Sequence, residues 1–226
     1  MVVPPRHSLV WLQADGWRAV EAQVPHYRDV ITQWREADWP LTVRRHDADC
    51  PSDQLCVGIA LPPCDGDKVR LPLRVALGSV ARWQSPLSIP HVVSAMPSEW
   101  RDAATCLHDA ALHADVPLQI YGSAALQAIT GLSYLHPTSD LDVLMLPSTS
   151  QQLDDCVRLF ITFEKTLPLD GEIVFASGHA VAAKEWCNAV PQPSDYRVLA
   201  KHATGVALMR KDALMAVLDR QSCIPQ

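Results

Sequence analysis

The sequence predicts an α+β fold in two parts: a small, mainly antiparallel sheet with a helix, then a region where helix and strand alternate. Three observations carry that expectation. The chain has 226 residues, 48% of them hydrophobic, which is enough to bury a core without cross-links. Many of its 18 prolines fall before about residue 98, where Leu61-Pro-Pro-Cys64, Ser85-Pro-Leu-Ser-Ile-Pro90 and Ala95-Met-Pro97 cut the chain into short pieces. Beyond that point apolar periodicity switches repeatedly between 3.6 and 2. The boundary is expected between residues 85 and 97, giving a first region of residues 1–92 and a second of 93–226.

In the first region Tyr27 to Trp39 reads as a helix, with Val30, Ile31 and Trp34 at core-facing spacing. Leu41 to Arg45, Gln54 to Leu61 and Lys68 to Val75 read as strands. In the last, Lys68, Arg70, Pro72 and Arg74 share one face and Val69, Leu71, Leu73 and Val75 the other, so a basic surface stands over a buried one. In the second region Ser98 is placed to cap a helix to about Ala114, with Trp100, Ala104, Leu107 and Ala111 inward. Pro117 to Tyr121 is a strand, Ser123 to Thr130 a helix stopped by Gly131, and Asp140 to Leu146 a strand. A helix from Ser150 to Phe163 follows, then a strand from Asp170 to Phe175. Tyr196 to Ala200 and Val206 to Met209 are further strands, and Lys211 to Arg220 is a closing helix.

Bulk properties exclude several classes. No apolar run approaches the roughly 20 residues of a membrane-spanning helix, so no membrane partner is expected. The start of the chain lacks a charged segment followed by an apolar stretch and a cleavage site, which predicts a cytoplasmic protein. A formal net charge of −6 argues against a nucleic-acid partner, since neutralising phosphates needs a basic surface. Positive charge concentrates at Arg44-Arg45 and at Lys68, Arg70 and Arg74. Seven cysteines (50, 56, 64, 106, 156, 187 and 223) contain no Cys-x-x-Cys pair and are odd in number, so reduced thiols are expected. His46, Cys50, Cys56 and Cys64 could supply four zinc ligands, but their spacing fits no zinc pattern and favours packed thiols.

The chemistry concentrates in residues 121–143. A strand delivering into Gly122 and Ser123 and then a helix makes an anion site: glycine allows close backbone approach, the helix start offers unpaired N–H groups, and Ser123 adds a hydroxyl. Gly-Ser alone is also an ordinary helix start. Asp140 and Asp142 flank one apolar residue, so on a strand both carboxylates point one way while Leu141 and Val143 point inward. An acid pair on a strand edge also discourages aggregation. Here, however, the run Leu141, Val143, Leu144, Met145 and Leu146 makes the strand buried on at least one face, where paired carboxylates require a cation. In Leu169-Asp-Gly-Glu-Ile-Val-Phe175, Asp170 or Glu172 supplies a third carboxylate for activating an attacking hydroxyl. The same Asp-Gly also signals a hairpin turn.

Gly-Ser, a short helix, Asp-x-Asp and a later strand carboxylate resemble the nucleotidyltransferase superfamily that includes DNA polymerase β and the aminoglycoside nucleotidyltransferases. The sixteen residues between Ser123 and Asp140 exceed the usual gap there. A closer resemblance spans nearly the whole chain. Arg6-His-Ser-Leu-Val-Trp-Leu12, Pro40-Leu-Thr-Val-Arg-Arg45, Val57-Gly-Ile-Ala-Leu-Pro62, Tyr121-Gly-Ser123, Ser139-Asp-Leu-Asp-Val143, Asp170-Gly-Glu172 and Val198-Leu-Ala-Lys201 resemble the malonate decarboxylase holo-acyl-carrier-protein synthases, or phosphoribosyl-dephospho-CoA transferases.

That resemblance implies a polymerase-β-like nucleotidyltransferase domain after a small N-terminal α/β domain that binds substrate or carrier. It implies transfer of the prosthetic group from triphosphoribosyl-dephospho-CoA to a serine of the apo acyl carrier subunit of malonate decarboxylase, releasing pyrophosphate by a two-metal mechanism. Asp140 and Asp142 would hold Mg2+ or Mn2+, Gly122 and Ser123 the phosphates, and Lys201, Lys68, Arg70 and Arg45 further phosphates. The same motifs serve a nucleotidyltransferase that uses an ordinary nucleoside triphosphate, and a non-catalytic nucleotide-sensing domain would keep the fold.

Overall fold

The computed structural model describes residues 3–64 and 67–221, and their buried apolar side chains gather into two separate clusters, one on each side of a division at Pro86/Leu87. Residues 87–92, which composition groups with the first region, belong to the second unit.

In the first unit the elements run β1 (Leu9–Leu12), α1 (Ala14–Gln23), α2 (Arg28–Glu36), β2 (Leu41–Val43), β3 (Gln54–Ala60), β4 (Arg70–Ala76) and β5 (Val80–Gln84). The sheet order is β4-β3-β2-β1-β5, antiparallel throughout. Alternation in β4 puts Leu71, Leu73 and Val75 into the core while Arg70 and Pro72 stay exposed. Val69, expected on the inner face, precedes the strand and is exposed. The helices add Trp17, Val20, Ile31 and Trp34 to the same cluster. The indole of Trp34 donates to the Pro40 carbonyl at 3.1 Å, so its N–H is buried with a partner. Three elements were not anticipated. β1 is four residues long, α1 follows it directly, and β5 is an edge strand with little burial, so no alternation marks it.

In the second unit the elements are α3 (Ile89–Val92), α4 (Ser98–His113), β6 (Leu118–Ile120), α5 (Gly122–Thr130), β7 (Leu141–Met145), α6 (Ser150–Phe163), β8 (Leu169–Val174), β9 (Ala180–Ala182), α7 (Ala183–Ala189), β10 (Arg197–His202), β11 (Gly205–Arg210) and α8 (Lys211–Gln221). The six-stranded sheet has the order β11-β10-β9-β8-β7-β6. Only the β7–β8 pair is parallel, and α6 makes the crossover that parallel pairing needs. Thr149 starts α6 by accepting the Gln152 N–H at 3.1 Å. Leu153, Cys156, Leu159 and Phe160 then form its buried stripe.

Alternation along β7 sends Leu141, Val143 and Met145 into the helix-covered core, with Trp100, Ala104, Leu107 and Ala111 of α4. Asp142 and Leu144 therefore lie on the other face of the sheet. The expected cap at Ser98 is corrected: Ser98 is the first helical residue, Pro97 takes the cap position, and the Ser98 hydroxyl donates to Glu99 at 3.3 Å. Asp170-Gly171 makes no hairpin but lies inside β8. Among the described residues no helix is long and apolar enough to cross a membrane. The described cysteines are free thiols, and Cys223 lies outside the described residues.

Candidate active site

β6 ends at Ile120, and the Tyr121 N–H still reaches the Asp142 carbonyl of β7 at 3.2 Å. The chain then turns at once into α5. Gly122 makes that turn with φ +66°, a conformation that favours glycine. Its lack of a side chain matters twice, because a Cβ there would lie 2.0 Å from Asp142 Oδ2. The Asp142 carboxylate is thus seated against the start of α5. The cap residue Tyr121 makes no side-chain cap bond to this nine-residue helix. Ser123 is half-buried in the first turn.

The parallel register places Asp142 opposite Asp170, and Leu144 opposite Glu172. Neighbouring strands lie about 4.8 Å apart, so the Asp142 and Asp170 carboxylates project side by side from one face. Asp140 is exposed and immediately precedes β7. Asp140 and Asp170 make no ion pair among the described residues. The strands approach closely because residue 171 is glycine: a Cβ there would meet the Val143 carbonyl oxygen at 2.2 Å.

Glu172 has a different environment. It is buried, and Lys201 of β10 donates to its Oε1 at 2.9 Å across the intervening β9. β9 contributes Ala180 and Ala182, opposite Val174 and Glu172 respectively. Their small side chains leave room for the lysine to reach over. Lys201 therefore meets a carboxylate of the site. His179 and His202 lie towards the far end of β8, with ring centroids 4.7 Å apart. Burial and then the facing His202 ring push His179 below the usual histidine range. Trp186 is core, packed edge-on against Phe175 at 5.0 Å.

Gln127 and Ser139 position the site without an obvious sequence signal. The Gln127 side chain accepts the N–H groups of Tyr134 and Leu135 at 2.9 and 3.0 Å and donates to the Ala95 carbonyl at 2.6 Å. Ser139 Oγ accepts the His136 N–H at 3.0 Å. These bonds fold the long segment between α5 and β7 and deliver Asp140 beside Asp142. A polar residue on a half-buried helix face followed by an unusually long connection was the available clue.

The other cations expected to bind phosphate belong to the first unit. Arg45, Lys68 and Arg70 are exposed and form no ion pair among the described residues. Arg44 and Arg74, in contrast, are taken up by Asp47.

The acid pair thus fits a hard cation. Aligned carboxylate oxygens suit magnesium or manganese, and the glycine at 122 lets the Asp142 carboxylate sit where a side chain would otherwise stand. Together with the start of α5, the arrangement can hold a metal-bound polyphosphate.

Residues 86–212 match the family described as the phosphoribosyl-dephospho-CoA transferase MdcG C-terminal domain, and residues 5–86 match its N-terminal domain. A phosphoribosyl-dephospho-CoA transferase of Xanthomonas campestris pv. campestris is 33% identical over 211 residues, covering 92% of this chain and 95% of the relative. One of Bradyrhizobium diazoefficiens is 34% identical over 186 residues, covering 80% and 81%. One of Pseudomonas aeruginosa is 29% identical over 182 residues, covering 77% and 79%. No solved structure matches the chain significantly.

Proposed function

The chain belongs to the phosphoribosyl-dephospho-CoA transferase family and is a transferase, and from that premise we propose that it attaches the prosthetic group of an acyl carrier protein. The donor is triphosphoribosyl-dephospho-CoA and the acceptor is a serine on the apo acyl carrier subunit of malonate decarboxylase. The serine oxygen attacks the α-phosphorus, a phosphodiester forms, the bond to the outer phosphates breaks, and pyrophosphate leaves. The observation that carries this reading is the alignment of Asp142 with Asp170, with the Asp142 carboxylate seated against the glycine that starts α5.

Asp140 and Asp142 would hold Mg2+ or Mn2+ in a two-metal mechanism, and the metal would offset the charge of the triphosphate and lower the pKa of the attacking hydroxyl. Asp170 is the third carboxylate and takes the serine proton, since Glu172 is committed to Lys201. The first N–H groups of α5 and the Ser123 hydroxyl orient the phosphate oxygens. Lys201, held by Glu172, presents its remaining N–H donors to the same face. Arg45, Lys68 and Arg70 make the first unit the binding region for substrate phosphates or an acidic carrier.

The test is the mass of the apo carrier after incubation with the enzyme, metal and triphosphoribosyl-dephospho-CoA, alongside a parallel arm with ATP. The expected product is the modified carrier with one pyrophosphate per transfer, in the first arm only. Efficient nucleotidyl transfer from ATP without the carrier would overturn the reading.

A further inference from the structure

The first unit carries a second cluster of ligating side chains, remote in sequence from the acids of the transfer site. The imidazole of His46 and the thiols of Cys50 and Cys56 place one ligand atom each within 4.8 Å of one another. From this grouping we infer that the first unit binds a borderline-soft divalent cation, with zinc as the natural occupant. An N, S, S donor set suits zinc, whereas magnesium prefers oxygen. Tetrahedral zinc with bonds of about 2.0–2.3 Å spaces its ligands at roughly 3.5–3.8 Å, so a contraction of about 1 Å closes the site.

The surroundings are those of a supported metal site. Cys56 is fully buried on β3, and its sulfur accepts the Asp47 N–H at 3.4 Å while its thiol faces Asp47 Oδ2 at 3.6 Å. Both ring nitrogens of His46 face carbonyl oxygens, that of Asp47 at 3.2 Å and that of Gln54 at 3.3 Å. A neutral imidazole donates from one nitrogen only, so its other lone pair points towards an oxygen. Metal on that nitrogen requires the ring to turn away from the carbonyl facing it, and leaves the remaining N–H to donate to a carbonyl, the outer-shell arrangement common to zinc-binding histidines.

The loop that carries His46 and Cys50 is already fastened. Asp47 accepts from Arg44 at 2.5 and 2.7 Å and from Arg74 at 2.9 and 3.1 Å, and Asp49 accepts from Arg74 at 2.5 Å. Two arginines and two aspartates cancel, so the site's own charge is that of its thiolates. Binding releases two protons, one from each cysteine, and forms two Zn–S bonds and one Zn–N bond, leaving a neutral centre with no oxidant or reductant required. Three protein ligands leave a fourth position for water or an exchangeable group. Cys64 is not part of the grouping.

The experiment uses the full-length protein, reduced, stripped with a chelator and titrated with cobalt(II) and then zinc(II). One equivalent of cobalt should give thiolate-to-metal charge-transfer absorption and tetrahedral d–d bands, both bleached by zinc. Cys50→Ser and His46→Ala should each weaken zinc by more than the roughly 10–100-fold typical of losing an outer-shell partner. Circular dichroism should show both variants folded, and Cys64→Ser should bind like the parent. Absence of the charge-transfer band would overturn the inference. So would unchanged affinity in Cys50→Ser, or a Cys50–Cys56 disulfide persisting under reductant. Prosthetic-group transfer is not a readout here, so the result stands independently of the proposed function.

Discussion

The two units each gather carboxylates at a sheet, and they deal with the charge in opposite ways. In the first unit Asp47 is gripped by two guanidinium groups from β4 and the segment after β2, which hold its carboxyl far below the usual carboxylate range. That acid has its cations built into the chain and serves to fasten a loop. In the second unit Asp142 and Asp170 lie opposite each other in register on β7 and β8, Asp140 is exposed just before β7, and Lys201 pairs with Glu172. The comparison separates an acid paired with two arginines from acids aligned across a parallel strand pair. The first arrangement fastens a loop, and the second is the one to which we assign the proposed transfer.

The sharpest way to break that contrast is to neutralise one acid in each unit. Asp142→Asn is expected to lower the transfer rate by at least about a thousandfold, or ~4 kcal/mol of transition-state stabilisation, with the thermal midpoint little changed. Carrier mass and a melting curve check both halves. Near-normal turnover would erase the distinction.

Lys201→Met comes next. It leaves the buried Glu172 without its lysine and should cost about 2–4 kcal/mol of stability, read by denaturant unfolding. The double variant Lys201→Met/Glu172→Gln should recover a good part of that. If stability recovers while transfer stays low, Lys201 touches substrate phosphate as well as Glu172.

Gly122→Ala should cost at least tenfold in rate, about 1.4 kcal/mol, because the new Cβ occupies the place of Asp142 Oδ2 and the positive φ disfavours alanine. Rates of transfer at saturating substrate measure it.

Asp47→Asn should cost about 1–2 kcal/mol of stability near neutral pH. The sign follows from the depressed carboxyl. Its contribution is fully present above the unfolded carboxylate value of about 4 and is lost as pH falls towards the lower folded value. Parent and variant should therefore converge in acid, as urea unfolding at a series of pH values would show. The smallest effect is at the exposed cations. Lys68→Gln with Arg70→Gln should raise KM several-fold and leave kcat alone, an energy of about 1 kcal/mol or less.

Much of the second unit was readable from local signals. Gly131 ends α5 with φ +72°, and the apolar spacing of α4 and α6 marks their buried faces. Asp142 on one face and Val143 on the other follow from strand alternation alone. The pairing of Asp142 with Asp170 was not readable, because it depends on the parallel register set by α6. Nor was the Lys201–Glu172 contact, which crosses β9 between residues 29 positions apart. β9 itself is three residues of Ala-Val-Ala with no strand-forming pattern beyond a single valine. β5 escaped for the opposite reason: as an exposed edge held to β1, it has no buried alternation to read. His46, Cys50 and Cys56 showed ligand types in an unfamiliar spacing, and only the fold of the 44–56 segment brings their ligand atoms together.

The central claim is that the acids around Asp142 serve metal-dependent attachment of a prosthetic group to a carrier serine. Intact-mass measurement of the apo carrier, with parent enzyme and with Asp142→Asn, tests it most directly. The parent with magnesium and triphosphoribosyl-dephospho-CoA should add one phosphoribosyl-dephospho-CoA group, and the variant or a chelator should abolish the addition. An unmodified carrier with the parent, or equal modification by the variant, would contradict it.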